Sequence, residues 1–548
     1  MNILGLNGWV ERGHDGGASI ISNGKLLLSI EEERLSRLRH AYDSLPLKSI
    51  KEALRITKIK LDEIDRICIG WNYPSLFKMI GKKFITKKEM SKCLFNTDKY
   101  ADKIFYINHH EAHAYSAFYP SNYEEALVLV IDGQGEVMGT SIYKANRHQK
   151  KMGLLYETPV SLGYFYSAIS EHIGFKNGEE GKTMGLASYG RPLYIDKLRE
   201  IINIDNNGNL NCLISIKKVN KDEEEETIEK WHEYLEKILP RRKGKIIEVN
   251  KTIMPYANLA SSAQKLLEEI LTKLVTIYYK KTKLNKIAIA GGVGLNCPSS
   301  TAIEELPFIE SVFVQPAAND GGISLGAAIK GAIDLNDEVS IEMIPYLGPE
   351  YSSLEILKVL NKYTYSIKKY KNIEKKIARL LYEGKIIGNF QGRLELGPRA
   401  LGNRSLLADP RKYEMLVKMN NLKGREVWRP LAPAVLYDKQ KEFFSSDTFS
   451  PFMIKNCLVL KEKRNLLQAI THVDNTARIQ SVTMKYNKRF YNTIKEFYKL
   501  SSVPVLINTS FNVRGEPIVC TPKEAIESAI KMNLDYLAIE DYLVKLKN

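Results

Sequence analysis

Short apolar runs closed by turn-forming residues recur through the first part of the chain. Residues 2–7, 18–22 and 26–31 read as consecutive strands. The Asn23-Gly24 pair between the last two suits a tight hairpin, since both residue types accept the left-handed backbone of such a turn. Further strand-like runs lie at 67–70, 104–107 and 127–131, each apolar and each ending at polar residues or glycine. A second set begins at 286–290, which leads into Gly291-Gly-Val-Gly294 and a helix-like stretch. It continues with a strand-like 311–315 and a helix-like 322–333. Two strand-rich halves, each with glycine turns and crossover helices, predict a duplicated α/β core. At Ile344-Pro-Tyr-Leu-Gly-Pro-Glu350 prolines and glycine break the pattern, which predicts a first domain over 1–343 and a second over 344–548.

Bulk properties narrow the class. A chain of 548 residues exceeds what one core supports, and 44% hydrophobic with 26% charged residues excludes disordered and fibrous proteins. No window reaches the roughly 18 apolar residues of a membrane span, and Met1-Asn2-Ile3-Leu4-Gly5 runs straight into strand-like sequence, so a cytoplasmic protein without membrane partners is expected. The six cysteines (Cys68, Cys93, Cys212, Cys297, Cys457 and Cys520) form no C-x-x-C pair and read as reduced thiols. A formal charge of +16 suits anionic substrates or a polyanion, although a solvated lysine surface accounts for the same total. The acidic run 222–226 and the basic run 241–245 read as solvated faces.

Candidate chemistry begins at Asn108-His-His-Glu-Ala-His-Ala114, which follows a strand and opens a helical pattern. His109 and His113, four apart, share a helical face and could hold a metal. This is not the zinc-protease motif, because His110-Glu111 would need histidine at position 114, which is Ala114. Asp132 ends an apolar strand and opens Asp132-Gly133-Gln-Gly135-Glu136, and Asp320 lies in a similar glycine turn of the second half. Two imidazoles and two carboxylates suit Fe(II), Mn(II) or Zn(II). The strand-to-helix turn Gly291-Gly292-Val293-Gly294-Leu-Asn296 can hold phosphate oxygens on backbone amides, and Glu180-Gly-Lys182 sets a lysine beside glycine. Toward the C-terminus, Arg393, Arg399 and Arg404 stand among turn formers, as do Arg429, Arg478 and the Asn508-Thr-Ser510-Phe-Asn512-Val-Arg514 segment. Arginines in such turns predict anion binding through bidentate forks.

Taken together these segments resemble the NodU/CmcH carbamoyltransferase family, to which nodulation-factor, cephem and tobramycin carbamoyltransferases belong. The likeness is collinear through His14-Asp-Gly-Gly-Ala-Ser19, Glu32-Glu-Arg34, the histidine segment, Asp132–Glu136, Glu180-Gly-Lys-Thr-Met-Gly185, Gly291–Asn296, Asn319-Asp-Gly321, Gly397-Pro-Arg-Ala-Leu-Gly402 and Asn508–Asn512. The resemblance implies an actin-like ATPase (Kae-like) first domain and a YrdC-like second one. It implies that carbamoyl phosphate is broken down in the second domain and that the carbamate attacks the α-phosphate of ATP. Carbamoyl adenylate then reaches the first domain, where an acceptor hydroxyl displaces AMP. On this likeness His109, His113, Asp132 and Asp320 hold one divalent metal, with Fe(II) the first expectation. Gly133, Gly135, Glu136, Glu180, Lys182, Gly291, Gly292, Val293 and Asn296 serve the nucleotide. Arg393, Arg399, Arg404, Arg429, Arg478, Asn508, Ser510, Asn512 and Arg514 serve carbamoyl phosphate, and His14 is the base on the acceptor.

The chain departs from the family at Arg39, where Arg-x-Lys-His is common, and at Asn475, where glycine is usual. Arg39 bears on acceptor contacts. Within the enzyme class, a tRNA threonylcarbamoyl-transferring fusion is the alternative; outside it, an actin-like regulatory ATPase would explain the duplicated core but not the arginines or the histidine pair. The acceptor is expected to be a hydroxyl on a small molecule, a glycan or a polyanion such as hydroxymethylated pyrimidine DNA, and the protein a possible homodimer.

Overall fold

A computed structural model describes residues 1–11, 13–214 and 221–547, with the backbone alone for 221–224. The chain forms two compact units, one of Met1–Ser36 with His40–Met343 and one of Arg37–Arg39 with Ile344–Asn548.

The first unit is built twice over on one plan. Strands β1 (Asn2–Asn7), β2 (Gly17–Ser22), β3 (Lys25–Glu31), β4 (Arg66–Ile69) and β5 (Ile104–Tyr106) lie in the order β3-β2-β1-β4-β5. The first three pair antiparallel and the last two join in parallel. Asn23 and Gly24 both take positive φ (47° and 71°), which turns β2 into β3 in two residues. The plan repeats after β6 (Glu125–Gly135), β7 (Met138–Asn146) and β8 (Lys151–Thr158). A small hairpin of β9 (Ile202–Ile204) and β10 (Leu210–Cys212) intervenes, followed by β11 (Lys286–Ala290) and β12 (Ser311–Val314). The second sheet runs β8-β7-β6-β11-β12, again antiparallel in its first three strands and parallel in its last two. This is the duplicated core of the actin-like ATPase class.

A crossover helix follows the last strand of each sheet, His109–Phe118 after β5 and Ile323–Asp334 after β12, and the two pack on each other. Ala112, Ala114 and Ala117 of the first helix and Ala327, Ala328 and Ala332 of the second are buried in one cluster with Ile3, Val128 and Ala288 of the strands. Short side chains here let the helices approach closely, and strands covered by them read as unbroken apolar runs rather than alternating ones. The repeat brings the loop after β1, the end of β6 and the starts of both helices to the middle of the unit.

The second unit holds a mixed sheet of nine strands. These are β13 (Ser366–Lys369), β14 (Ile387–Phe390), β15 (Arg404–Ala408), β16 (Pro433–Leu436), β17 (Lys455–Leu458), β18 (Thr476–Val482), β19 (Val505–Ser510), β20 (Tyr536–Ile539) and β21 (Tyr542–Lys545). Their order is β13-β21-β20-β14-β15-β19-β16-β18-β17. Amphipathic helices at Ile373–Tyr382 and Lys488–Ser501 bury Ile377, Leu381, Phe490, Ile494 and Phe497 against this sheet. Asn475 has φ 66°, a left-handed value that glycine and asparagine adopt most readily, so the departure from glycine leaves the turn intact.

All six cysteines are unpaired, and among the described residues no helix is long and apolar enough to cross a membrane. Of the acidic run, Glu225 and Glu226 are exposed on the helix Lys221–Glu236, and the side chains of 222–224 lie outside the described residues.

Candidate functional site

The metal candidates meet. Asn108 caps the helix His109–Phe118 by accepting from the Glu111 amide at 3.1 Å, and Glu136 accepts from the His109 amide at 3.2 Å, which fixes the first turn where His109 sits. Asp132 lies where the β6–β7 register slips between Ile131 and Gly135, a bulge that re-aims its side chain. The amide of Gly292 donates to Asp132 Oδ1 at 2.8 Å, bracing it from β11's side. Asp320 opens the short turn Asp320–Gly322 ahead of the second crossover helix. His109 Nε2 lies 3.3 Å from Asp132 Oδ2 and 3.4 Å from Asp320 Oδ1, and His113 Nε2 lies 3.5 Å from each of the same two oxygens. A side chain at position 135 would strike the His109 and His110 rings, at 2.5 Å and 2.6 Å from its Cβ, so glycine is required there.

These four residues fit a divalent cation. All four are buried, their ligand atoms lie within 4.8 Å of one another, and His113 Nε2 has no hydrogen-bond partner. A buried imidazole nitrogen left without a hydrogen bond costs free energy unless something else satisfies it, and an ion between two carboxylates would. His110 differs: its Nδ1 meets Ser141 Oγ at 2.7 Å, and burial with the neighbouring His109 charge lowers its pKa to about 3. It braces the site as a neutral group. Trp71 lies against His109, with ring centroids 3.9 Å apart.

Electrostatics make the site pH-sensitive. Burial opposes charge on His109, but the carboxylates of Asp320 and Asp132 outweigh it and raise its pKa to about 10. The same imidazoles hold Asp132 well below, and Asp320 at about 2, against the upward push of burial. Metal ligation needs neutral His109, so binding must expel the proton that the metal-free site retains below pH 10. Affinity for Zn(II) should therefore rise at least about tenfold per pH unit between roughly pH 7 and 9, with release of at least one proton in calorimetry across buffers of different ionisation enthalpy. Affinity flat across that range would contradict this arrangement.

His14 stands beside this group on the loop after β1, its side chain 43% exposed, with Nε2 3.9 Å from Asp320 Oδ2. Arg39 is exposed and is grouped with the second unit. The nucleotide candidates have local partners. Glu180 Oε1 accepts from Ser167 Oγ at 2.9 Å, and Lys182 pairs with Glu179 at 2.6 Å. Gly133 and Gly135 are the bulged end of β6. Gly291 takes φ 89°, and Val293 accepts the Asn296 amide at 2.9 Å. Asn296 caps the helix Cys297–Glu304 and exchanges two bonds of 2.9 Å with Gln264.

In the second unit the arginines divide. Arg404 is fully buried, donates to the carbonyls of Gln391, Asn403, Pro349 and Gly392, and lies 3.7 Å over the Phe390 ring. Arg393 donates to the carbonyls of Gly348 and Leu347 at 3.0 Å and 2.5 Å. Both guanidinium groups thus bond backbone carbonyls. Asn508 is likewise buried, donating to Ala400 O at 3.1 Å and Gln480 Oε1 at 2.7 Å. Arg514 is about half exposed and donates to Gly424 O.

The remaining arginines converge on a residue that sequence reasoning missed. Burial and then the charges of Arg429, Arg478 and Arg399 hold the Arg425 guanidinium far below its usual range, against the opposing charge of Glu426. Lys423, 4% exposed, donates to Ser510 O, to Ser510 Oγ at 3.2 Å and to Asn512 Oδ1 at 3.0 Å. Burial first, then Arg425 and Arg429, keeps its ammonium well below normal. This group of cations could hold a multiply charged anion. Lys423-Gly-Arg425 carried the available signal: a glycine turn directly after the helix Tyr413–Leu422.

Comparison with known proteins identifies the family. A carbamoyltransferase N-terminus family model matches residues 75–329, and a carbamoyltransferase C-terminus model matches residues 378–546. Nodulation protein NolNO of Sinorhizobium fredii is 33% identical over 97% of this chain and 79% of its own length. An uncharacterized protein of Synechocystis is 31% identical over 99% of this chain and 96% of its own. The solved structure of T. kodakarensis HypF is 14% identical and overlaps 62% of this chain and 48% of that one, with a TM-score of 0.34. With both family halves matched in order and relatives above 30% identity along nearly the whole chain, the protein belongs to the carbamoyltransferase family and is an enzyme of carbamoyl transfer.

Proposed function

We propose that the protein is an ATP-dependent O-carbamoyltransferase that works through carbamoyl adenylate. The observation that carries this reading is the presence of two chemically different sites, a cationic anion site in the second unit and a buried His/Asp group in the first. Water attacking the phosphorus of carbamoyl phosphate breaks the P–O bond and gives phosphate and carbamate, which keeps both carboxyl oxygens. A carbamate oxygen then attacks the α-phosphorus of ATP and pyrophosphate leaves. Both steps move negative charge, which the fixed cations Arg399, Lys423, Arg425, Arg429 and Arg478 would stabilise without reorganising.

Transfer is assigned to the first unit. The acceptor hydroxyl gives its proton to His14 Nε2 as its oxygen attacks the carbamoyl carbon, and AMP departs. Gly133, Gly135 and the 291–296 turn offer backbone amides to the adenylate phosphate. His109, His113, Asp132 and Asp320 would hold a divalent ion, Fe(II) first among Fe(II), Mn(II) and Zn(II), which when bound polarises phosphate or carbonyl oxygen and offsets the carboxylates. Without that offset, Asp320 and Asp15 overcome burial and raise the His14 pKa to about 10, too high for a base near neutrality. Activity should require both ATP and carbamoyl phosphate, with AMP and pyrophosphate as products; transfer sustained by carbamoyl phosphate alone would reject the reading.

For the acceptor, the exposed Lys82, Lys83, Lys87 and Lys88 support a hydroxyl carried on a polyanion such as hydroxymethylated DNA. Binding to such DNA should fall steeply with salt, by about 0.9 in log affinity per phosphate neutralised per log unit of salt. No binding at low salt would favour a small-molecule or glycan acceptor instead.

A further inference from the structure

The loop Gly13-His14-Asp15-Gly16 and the segment His40-Ala41-Tyr42-Asp43 are joined at one carboxylate. Asp15 Oδ1 lies 2.8 Å from His40 Nδ1, and Asp15 Oδ2 lies 3.3 Å from His14 Nδ1. Asn319 donates to the same Oδ2 at 3.0 Å. The backbone locks the pair, because the Asp15 amide donates to His40 O at 2.6 Å and the His40 amide donates to Glu33 Oε2 at 2.7 Å. Asn7 Nδ2 ties Asp15 O and Asp320 O together at 3.1 Å and 3.0 Å.

This geometry is held under strain. Asp15, His40, Ala41 and Asp43 have φ of 48°, 62°, 42° and 51°, left-handed values that non-glycine residues seldom take. Such clusters persist where surrounding contacts over-determine them, and they mark functional positions. The Asp15 side chain is 11% exposed and that of His14 43%, so the carboxylate is sheltered and the imidazole is reachable. Asp15, Glu33 and His40 are also close enough to suggest a ligand set. Their mutual hydrogen bonds, with Glu33 Oε1 on Arg34 at 2.6 Å, account for the two carboxylates without one.

We infer that Asp15, itself anchored by His40, is a positioning residue that fixes the tautomer of His14. An ionised carboxylate can only accept, so Asp15 Oδ2 selects the form of His14 with its proton on Nδ1. The lone pair is then on Nε2, the nitrogen that faces Asp320 and the metal group. This rests on the reading of His14 as the acceptor's base.

The test is the nitrogen spectrum of histidine-labelled, Zn(II)-loaded enzyme at pH 7.5. In the wild-type protein His14 should show a protonated Nδ1 and a bare Nε2. Asp15→Asn, which suits the left-handed backbone and can donate through its amide, should move the proton to Nε2. The same imidazole behaviour follows the loss of an orienting carboxylate in serine proteases, where rates fall about 10⁴-fold. His40→Asn, which keeps a donor but a shorter one, should give a mixture of the two tautomers, and it tests the relay should Asp15→Asn not fold. A wild-type His14 protonated on Nε2, or spectra unchanged by both substitutions, overturns the inference. The spectrum needs no turnover. Unimpaired transfer in His14→Ala would therefore remove the base reading alone, while an unchanged tautomer would remove only the positioning role.

Discussion

Replacing His113 with alanine should empty the metal centre and lower carbamoyl transfer by at least about a thousandfold. His113 Nε2 is buried, lacks a hydrogen-bond partner and lies 3.5 Å from both Asp132 and Asp320. Its removal leaves two carboxylates facing a single imidazole, so the remaining ligand set is both weaker and more repulsive. An ion that supplies roughly 4 kcal/mol of transition-state stabilisation accounts for about three decades of rate. Asp320→Ala should do the same from the opposite half of the duplicated core. His110→Ala provides the control, since that ring is buried nearby but bonded to Ser141. Metal content by mass spectrometry separates the three, and full occupancy in His113→Ala and Asp320→Ala would reject the proposed ligand set.

Arg425→Ala should abolish carbamoyl-phosphate-dependent pyrophosphate exchange into ATP, by about 10² to 10³ for one preorganised cation, and leave metal content unchanged. Arg425 lies among Arg399, Arg429 and Arg478, with Glu426 as a counter-charge. Arg404→Ala should behave differently and lower the unfolding temperature, because its guanidinium ties four backbone carbonyls together beneath β14 and β15. Exchange that survives Arg425→Ala at the wild-type rate would move anion binding elsewhere.

Much of the first unit was legible because its determinants are local. The Asn23-Gly24 turn, the apolar runs and the four-residue spacing of His109 and His113 each act over a few residues, and the structure uses each as local physics requires. Asp132 and Asp320 could be singled out from their glycine turns, but only the repeat of one sheet order brings them to the same histidines. The second unit shows where such reasoning gives out. A turn frees backbone carbonyls as well as amides, so arginine in a turn can also bond the chain itself, as Arg404 and Arg393 do. Lys423 escaped notice because one lysine in a chain with 80 lysines and arginines reads as surface, and only tertiary packing buries it against Ser510 and Asn512. The bond between Asp15 and His40 spans 25 residues and depends on left-handed backbone at non-glycine positions, which no periodicity signals.

The central claim is that the carbamoyl group passes through an adenylate, and oxygen tracing tests it most directly. Carbamoyl phosphate labelled with ¹⁸O at its carboxyl oxygens would be supplied with ordinary ATP, and the AMP formed during acceptor carbamoylation weighed. Attack of carbamate on the α-phosphorus, followed by cleavage at the carbamoyl carbon, leaves one carboxyl oxygen on AMP, so AMP should carry a single ¹⁸O. Carbamoylated acceptor formed alongside unlabelled AMP, or without AMP, would contradict the mechanism.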